Sequence, residues 1–425
     1  MSDGIVQPGR VTMNSGRKFR GHAAVDGLAA RDGELLIGGR TVTEIRDRVG
    51  RTPFYVYDKQ AVSKRIETLR TVLPDSVDLH YAIKANPMPA LVRYMSGCVD
   101  GFDLASVGEM RIALDAGIAA GRLSFAGPGK QTDELRAAVE AGVTLHAESE
   151  RELQELAEIA GELGKRPRVA IRVNPDFQLK TSGMKMGGGP QQFGIDAEVV
   201  PQVLSRVDHR LLELVGFHIF AGSQNLNAES IIEAQNESVA LAQQLARAMP
   251  GPITHLNIGG GFGIPYFPGE RPLDLKPIGA NLQRLAARAA ADMPGVRLIL
   301  ELGRYLVGEA GYYVCRVIER KVSRGQAILI TDGGMHHHLA ASGNFGQVIR
   351  KNYPVVIGTR MGSGETVSTS IVGPLCTPLD LLADKMALPK AGPGDLVVVL
   401  QSGAYGFSAS PHGFLSHPEP AEILI

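Results

Sequence analysis

The apolar positions of this chain fall into two textures. From about residue 77 to residue 304, short β-rich runs recur at Val77–Ala85, Gly101–Ser106, Arg122–Gly127, Thr144–Glu148, Arg168–Asn174, Leu214–Phe220, Ile253–Gly259 and Arg297–Arg304. Ala-, Leu-, Glu- and Arg-rich stretches with helical apolar spacing lie between most of them, Glu150–Gly164 and Ala228–Met249 among them. Eight β-then-α units predict a parallel (β/α)8, TIM-like barrel rather than an open sheet. After Arg304 the helical spacing stops. Tyr312–Glu319, Gln326–Thr331, Val355–Ile357, Glu365–Val372 and Asp395–Gln401 then read as strands separated by Gly, Pro and Ser, an all-β pattern.

The expected organisation is therefore α/β plus all-β. Residues 1–25 read as a flexible tail. Residues 26–53, with the strand-like Gly33–Ile37, read as a segment joining the β domain; residues 54–305 make the barrel, and 306–425 the C-terminal β domain. Gly187–Gln192 is expected to be a mobile loop after the fifth barrel strand.

Composition narrows the function. A chain of 425 residues exceeds one compact core. Lys plus Arg equals Asp plus Glu at 44 each, so no net charge favours nucleic acid or an anionic membrane. Apolar runs such as Val296–Leu300 and Val397–Leu400 are far shorter than a bilayer span. Met1–Arg20 lacks the apolar stretch of a secretory signal. Cys98, Cys315 and Cys376 form neither a disulfide framework nor a zinc spacing, which points to reduced thiols and the cytoplasm.

In a barrel, chemistry gathers where strands end and βα loops begin. Lys84 ends the first strand, Asp103 lies in the second, His218 ends the sixth, Gly259–Gly261 end the seventh, and Glu301 with Arg304 ends the eighth. A lysine in an apolar strand calls for a partner or a covalent role. The run His80-Tyr81-Ala82-Ile83-Lys84-Ala85-Asn86-Pro87 resembles the lysine motif of the fold-type III decarboxylases. That family holds diaminopimelate, ornithine and arginine decarboxylases and is related to alanine racemase. The resemblance continues through Phe102–Ser106, Gly216–Gln224, Asn257–Phe262, Glu301–Tyr305, Gly373–Cys376 and Ser402–Tyr405, roughly residues 50 to 415. It implies a barrel followed by a β-sandwich-like domain, pyridoxal 5′-phosphate as cofactor, and decarboxylation of an amino acid.

By that resemblance Lys84 carries the cofactor, and Glu301 pairs with its ring nitrogen so that the ring accepts electrons. Gly259, Gly260, Gly261, Ser223, Arg304 and Tyr405 are assigned to the phosphate, His218 to one face of the ring, Asp103 to the network near the ring nitrogen, and Arg172 to the ring hydroxyl or its neighbours. For Asp103, helix N-capping is the competing role. Cys376 is the expected proton donor to Cα after CO2 leaves, supplied across a homodimer interface so that active sites are shared.

The substrate end departs from the family pattern. Thr377 follows Cys376 where better-known members carry Glu or Asp for a distal ammonium. His336-His337-His338 stands where diaminopimelate decarboxylases carry an Arg/Tyr-bearing segment, and His218–Ser223 is two residues longer than His-x-Gly-Ser. Thr377, Asp380, His336 and Arg304 are the expected substrate contacts. Neighbours on a strand alternate faces, so the three histidines read as pocket lining or surface, and no metal site is expected. With Cys376–Asp380, the pattern resembles a subgroup that includes decarboxylases of exosortase gene clusters and a relative acting on a carrier-protein-tethered glutamyl group. A modified or carrier-tethered amino acid is then the expected substrate. Diaminopimelate decarboxylase proper, an amino-acid racemase, and a non-catalytic cofactor-binding regulator remain as alternatives. A racemase calls for a C-terminal tyrosine base where this chain offers Cys376, and a regulator for loss of Lys84 or Cys376.

Overall fold

The computed structural model of the protein describes residues 28–177, 184, 185, 187–343 and 351–425. The tail expected over residues 1–25 lies outside them. Two compact units are present: 28–63, 265–272 and 307–425 form one, and 64–264 with 273–306 the other.

The second of these is a closed parallel barrel of β1 (Val77–Ala82), β2 (Gly101–Leu104), β3 (Leu123–Phe125), β4 (Thr144–Ala147), β5 (Arg168–Asn174), β6 (Glu213–Ile219), β7 (His255–Gly260) and β8 (Arg297–Leu302). Each strand pairs in parallel with the next, and β8 closes onto β1. All eight coincide with β-rich runs of the sequence. Apolar residues predominate in these strands, because helices cover their outer side. Ser106, Ser149 and Asn227 cap the helices after β2, β4 and β6 by accepting the N–H of Glu109, Glu152 and Ser230. The helix Glu150–Leu163 buries Leu153, Leu156, Ile159 and Ala160 and stops at Gly164 in the left-handed conformation. Each large apolar side chain so buried contributes about 1.5–3 kcal/mol. No helix among the described residues is long and apolar enough to cross a membrane.

The β unit is built on the long strand Gly311–Ser323. Its first half pairs antiparallel with Phe54–Tyr57 and Leu396–Val399, and its second half with Gln326–Thr331. Thr366–Val372 then lies parallel to Gln326–Thr331, and Leu381–Pro389 antiparallel to Thr366–Val372. Two features, the pairing of Phe54–Tyr57 and the strand Leu381–Pro389, differ from expectation. Phe54–Tyr57, read as the start of the barrel, is hydrogen-bonded into this unit and also pairs with Ala421–Leu424. Glu34–Ile37 makes a small sheet with Ala30–Arg31 and Arg40–Thr41, and its Leu35 and Ile37 pack in the core with Phe54, Val314 and Val398. Leu381–Pro389 was not expected as a strand. Asp384-Lys385 interrupts its apolar pattern, Lys385 has φ 49°, and Asn352 bonds both the carbonyl and the N–H of Asp384.

Gly216 shows how tightly the barrel is drawn together. Its φ is +150°, and a Cβ there would sit 1.8 Å from the carbonyl oxygen of His255 on β7. Gly161, in the helix Glu150–Leu163, has nothing within 4 Å of an added Cβ. Gly216→Ala should cost about 3 kcal/mol or more, whereas Gly161→Ala should stabilise by about 0.5–1 kcal/mol. Urea unfolding midpoints of the two variants check this; equal midpoints would remove the close-approach argument.

Candidate active site

β1 ends at Ala82, and Lys84 sits on the single 3-10 turn Ile83–Ala85 that follows. The turn lifts the amine out of the strand, so the Lys84 side chain is 45% exposed and not buried as a strand lysine would be. Its Nζ lies 3.4 Å from Oε1 of Glu301, whose side chain is only 5% exposed. Register places Glu301 beside His80 on β1 and Gly260 on β7. The other Glu301 oxygen accepts from Asn257 Nδ2 at 3.3 Å and faces His218 Nε2 at 3.4 Å. Burial pushes this carboxyl up, but Lys84, His218 and Arg172 outweigh it and hold it below the usual carboxylate range. Glu301 is therefore an anion at neutral pH.

His218 does not face the barrel mouth. It is 2% exposed, and its Nδ1 lies 2.9 Å from Nδ1 of His146 inside the barrel. The ring beside the lysine is that of Phe220, with Lys84 Nζ 5.8 Å from its centroid. Phe220 lies two residues on from His218, past the end of β6.

Asp103 lies within β2 and is not the cap of the following helix, which is Ser106. It accepts a hydrogen bond from Ser124 and lies 3.2 Å from His80 Nδ1. Burial lowers the His80 pKa, Asp103 outweighs it, and the imidazole ends above its ordinary value. Gly101 makes room for that ring, since a Cβ there would meet His80 Nε2 at 2.3 Å. Arg172 donates to Glu148 at 2.7 Å and stacks over Phe193 at 4.8 Å. Glu148 also accepts from Gly127 N and Gly194 N, which ties three βα loops together.

The glycines at the end of β7 are required by the protein itself. Gly259 and Gly261 have φ of 68° and 70°; a Cβ on Gly260 would meet Glu301 O at 2.2 Å, and one on Gly261 would meet Gly222 O at 2.1 Å. Gly259 N–H is already given to Asn257 Oδ1 at 2.8 Å. Ser223 lies in the short strand Gly222–Ser223, and nearby Asn225 N donates to Gly261 O. Arg304 opens a short helix directly after Gly303, whose Cβ would meet Ala85 Cβ at 2.9 Å, so this segment packs against the Lys84 turn.

In the β unit, Cys376 is exposed. Asp380, expected at the substrate, is 2% exposed and accepts Met335 N with one oxygen and Leu375 N with the other, at 2.7 and 2.8 Å. It ties the Cys376 loop to the Gly333–His336 segment and has no face toward a ligand. Thr377 is half-buried, and its hydroxyl accepts Leu379 N at 3.3 Å. His336, His337 and His338 lie in a turn, not on a strand, and all three are buried rather than on the surface. His337 Nε2 reaches Pro418 O and His338 Nε2 reaches Ser402 Oγ, while burial and His417 push His336 down to about 4. Among the described residues no group of three potential ligands is placed to hold a metal. Tyr405 is half-buried with φ 56°.

Sequence reasoning missed His146, His255 and Asn257 inside the barrel, and Phe220 at its mouth. A histidine on an apolar strand reads as core, and only the pairing of β4, β6 and β7 brings these rings together.

A barrel that offers an amine and a buried anionic carboxylate at one rim fits the enzymes that work through pyridoxal phosphate: the amine meets the aldehyde, and the anion meets the ring nitrogen. Residues 59–308 match the family model described as "Pyridoxal-dependent decarboxylase, pyridoxal binding domain", and the chain belongs to that family. It is a pyridoxal-phosphate-dependent amino-acid decarboxylase. It is 41% identical to an L-glutamyl-[BtrI acyl-carrier protein] decarboxylase of Niallia circulans, over 88% of this chain and 88% of that one. It is 36% identical to a diaminopimelate decarboxylase of Aquifex aeolicus, over 94% and 92% of the two chains. The crystal structure of Helicobacter pylori diaminopimelate decarboxylase with L-lysine superposes with a TM-score of 0.79 at 27% identity, covering 90% of this chain and 94% of that one.

The role of Asp380 is open to a direct check. Asparagine in its place turns one acceptor into a donor that faces a backbone N–H. Asp380→Asn should destabilise the fold by about 1–3 kcal/mol, read by chemical denaturation. An unchanged unfolding midpoint would show that the two backbone contacts carry no weight.

Proposed function

We propose that this enzyme removes the α-carboxylate of an amino acid whose far end is acylated or carried on a protein, rather than of a free diamino acid. The observation that carries the reading is the Cys376–Asp380 loop. Thr377 stands where an acid would hold a distal ammonium, and Asp380 spends both oxygens on backbone amides. The likeness to the Niallia circulans decarboxylase supports it.

When bound, pyridoxal phosphate supplies an electron sink for the pair left on Cα as the Cα–carboxylate bond breaks and CO2 departs. Lys84 would hold the cofactor aldehyde through its exposed amine. Glu301 holds a proton on the ring nitrogen, which its depressed pKa suits. Phe220 gives one apolar face beside the ring. The amides around Gly260 and Gly261, with Ser223 and Arg304, would take the phosphate. Cys376 donates its thiol proton to Cα, and the thiolate regains a proton from water. Its exposure in the unit that does not contain Lys84 supports a homodimer with shared active sites. The unpaired state of all three cysteines supports a reducing, cytoplasmic setting.

Shared sites predict complementation. Lys84→Ala and Cys376→Ala proteins, each inactive, should recover part of the activity when mixed under conditions that exchange subunits. Exchange without recovery would sink the shared-site arrangement.

The substrate reading is tested by assaying CO2 release from glutamyl-carrier protein, free glutamate, diaminopimelate, ornithine and lysine. A lost charge-assisted hydrogen bond costs about 1.5–3 kcal/mol, so free diamino acids should trail by roughly ten- to a hundredfold in kcat/KM. Efficient turnover of diaminopimelate would favour the second reading, for which the Aquifex aeolicus relative speaks.

A further inference from the structure

Inside the barrel, away from the amine of Lys84, three imidazoles stand in a row. His255 on β7 and His146 on β4 meet through their Nε2 atoms at 3.1 Å, and His146 and His218 on β6 meet through their Nδ1 atoms at 2.9 Å. His218 Nε2 then faces Glu301 Oε2 at 3.4 Å, ion-pair range but longer than a hydrogen bond. The exposures of His255, His146 and His218 are 7%, 0% and 2%. Neither His146 nor His255 belongs to the cofactor and substrate roles described above.

The proton count restricts what this row can be. Burial, with the neighbouring imidazoles, holds His146 and His255 well below the ordinary histidine range, so each is neutral. The charged and titratable groups around them are His80 paired with Asp103, Arg168, Lys130, and Arg172 paired with Glu148; Lys84 faces Glu301. A neutral imidazole has one N–H and one bare nitrogen. Each N···N contact needs one donor and one acceptor, so a row carrying one proton per ring has only two arrangements. In one, every proton points toward Glu301: His255 Nε2–H to His146, His146 Nδ1–H to His218, and His218 Nε2–H to the carboxylate. In the other all three are reversed, and the bare Nε2 of His218 opposes an anionic oxygen in a buried site. The charge on Glu301 selects the first.

We propose that His255, His146 and His218 carry one proton each and are aligned one way, with the last N–H pointing at Glu301, so that His146 and His255 are positioning residues that fix the His218 tautomer and hold Glu301 as the anion the cofactor's ring nitrogen requires. The row works by direction: if Glu301 took a proton and donated it to His218, all three tautomers would reverse. The proposal rests on the reading that Glu301 faces the ring nitrogen.

Imidazole 15N shifts of the histidine-labelled full-length protein, with and without pyridoxal phosphate, distinguish a protonated from a bare nitrogen without any turnover. We expect Nε2–H on His218 and His255 and Nδ1–H on His146. His146→Leu should leave His218 a mixture of tautomers. In the holoenzyme it should lower kcat roughly ten- to a hundredfold with little change in KM, and move the acid limb of the kcat profile to higher pH. His146→Asn, whose amide can place an N–H where Nδ1 stood, should restore most of both. A wild-type His218 protonated on Nδ1, or a His146→Leu enzyme with unaltered kcat and pH profile, would overturn the proposal. Should His146→Leu not fold, the wild-type tautomers alone still decide it. Glu301→Gln separates the two readings. Full turnover by that variant refutes the role given to Glu301, whereas lost turnover together with a reversed wild-type row refutes only the relay.

Discussion

Glu301 has to stay charged where almost no water reaches it. Removing a carboxylate from water costs several kcal/mol, and the loss must be made good by partners in fixed places. Those partners come from four strands or their ends: Lys84 after β1, His218 on β6, Asn257 on β7, and Arg172 on β5 through the field it adds. No two neighbouring strands could supply them all, but a closed barrel converges eight strand ends on one point. The packing of the rim follows from this need. Gly260 lets β7 lie against the carbonyl of Glu301 itself, and Gly303 lets the end of β8 press on the turn that carries Lys84. The glycines read in the sequence as a phosphate cradle are first of all what allows the carboxylate to be surrounded.

The same demand makes the barrel interior polar where an ordinary barrel core would be branched aliphatic. Ser124, Asp103 and His80 form one buried set, and Glu148 with Arg172 another, with Lys130 and Glu152 joined beside it at 2.7 Å. A polar interior of this kind is stable only when every member is satisfied. The burial that raises Glu152 and the cation that lowers Glu148 therefore pull neighbouring carboxyls in opposite directions within one network. Rigid strands carry the members, so the rim keeps its geometry while the loops above it vary.

The fold was legible where one physical rule dominates. Strands enclosed by helices read as short β-rich runs between helical stretches, and all eight coincide with such runs. Lys84 and Glu301 were legible because charge after an apolar run is costly without a purpose. The losses have equally plain causes. Phe54–Tyr57 is apolar and precedes a helix, so it looks like a barrel strand; only its pairing with Gly311–Ser323 reveals otherwise. Leu381–Pro389 is hidden by the bulge at Lys385. His218 was identified as important but given the wrong outlook, because a sequence does not say whether a residue near a strand end points to the mouth or to the axis. His336–His338 were read by strand alternation, and a turn obeys no such rule.

The division between a fixed cofactor end and a variable substrate end has a structural basis in Asp380. On the proposed reading, residue 377 must be open to change without disturbing the loop that carries Cys376. If residue 377 both recognised substrate and held the loop, each change of substrate would cost folding energy. Here the holding is done from below. Asp380, buried and bonded to Met335 N and Leu375 N, fixes the loop through backbone amides that every sequence possesses. Gly334 and Gly373 have room for no side chain because that carboxylate fills the space. Thr377 contributes only one weak turn contact and can be exchanged at little structural cost.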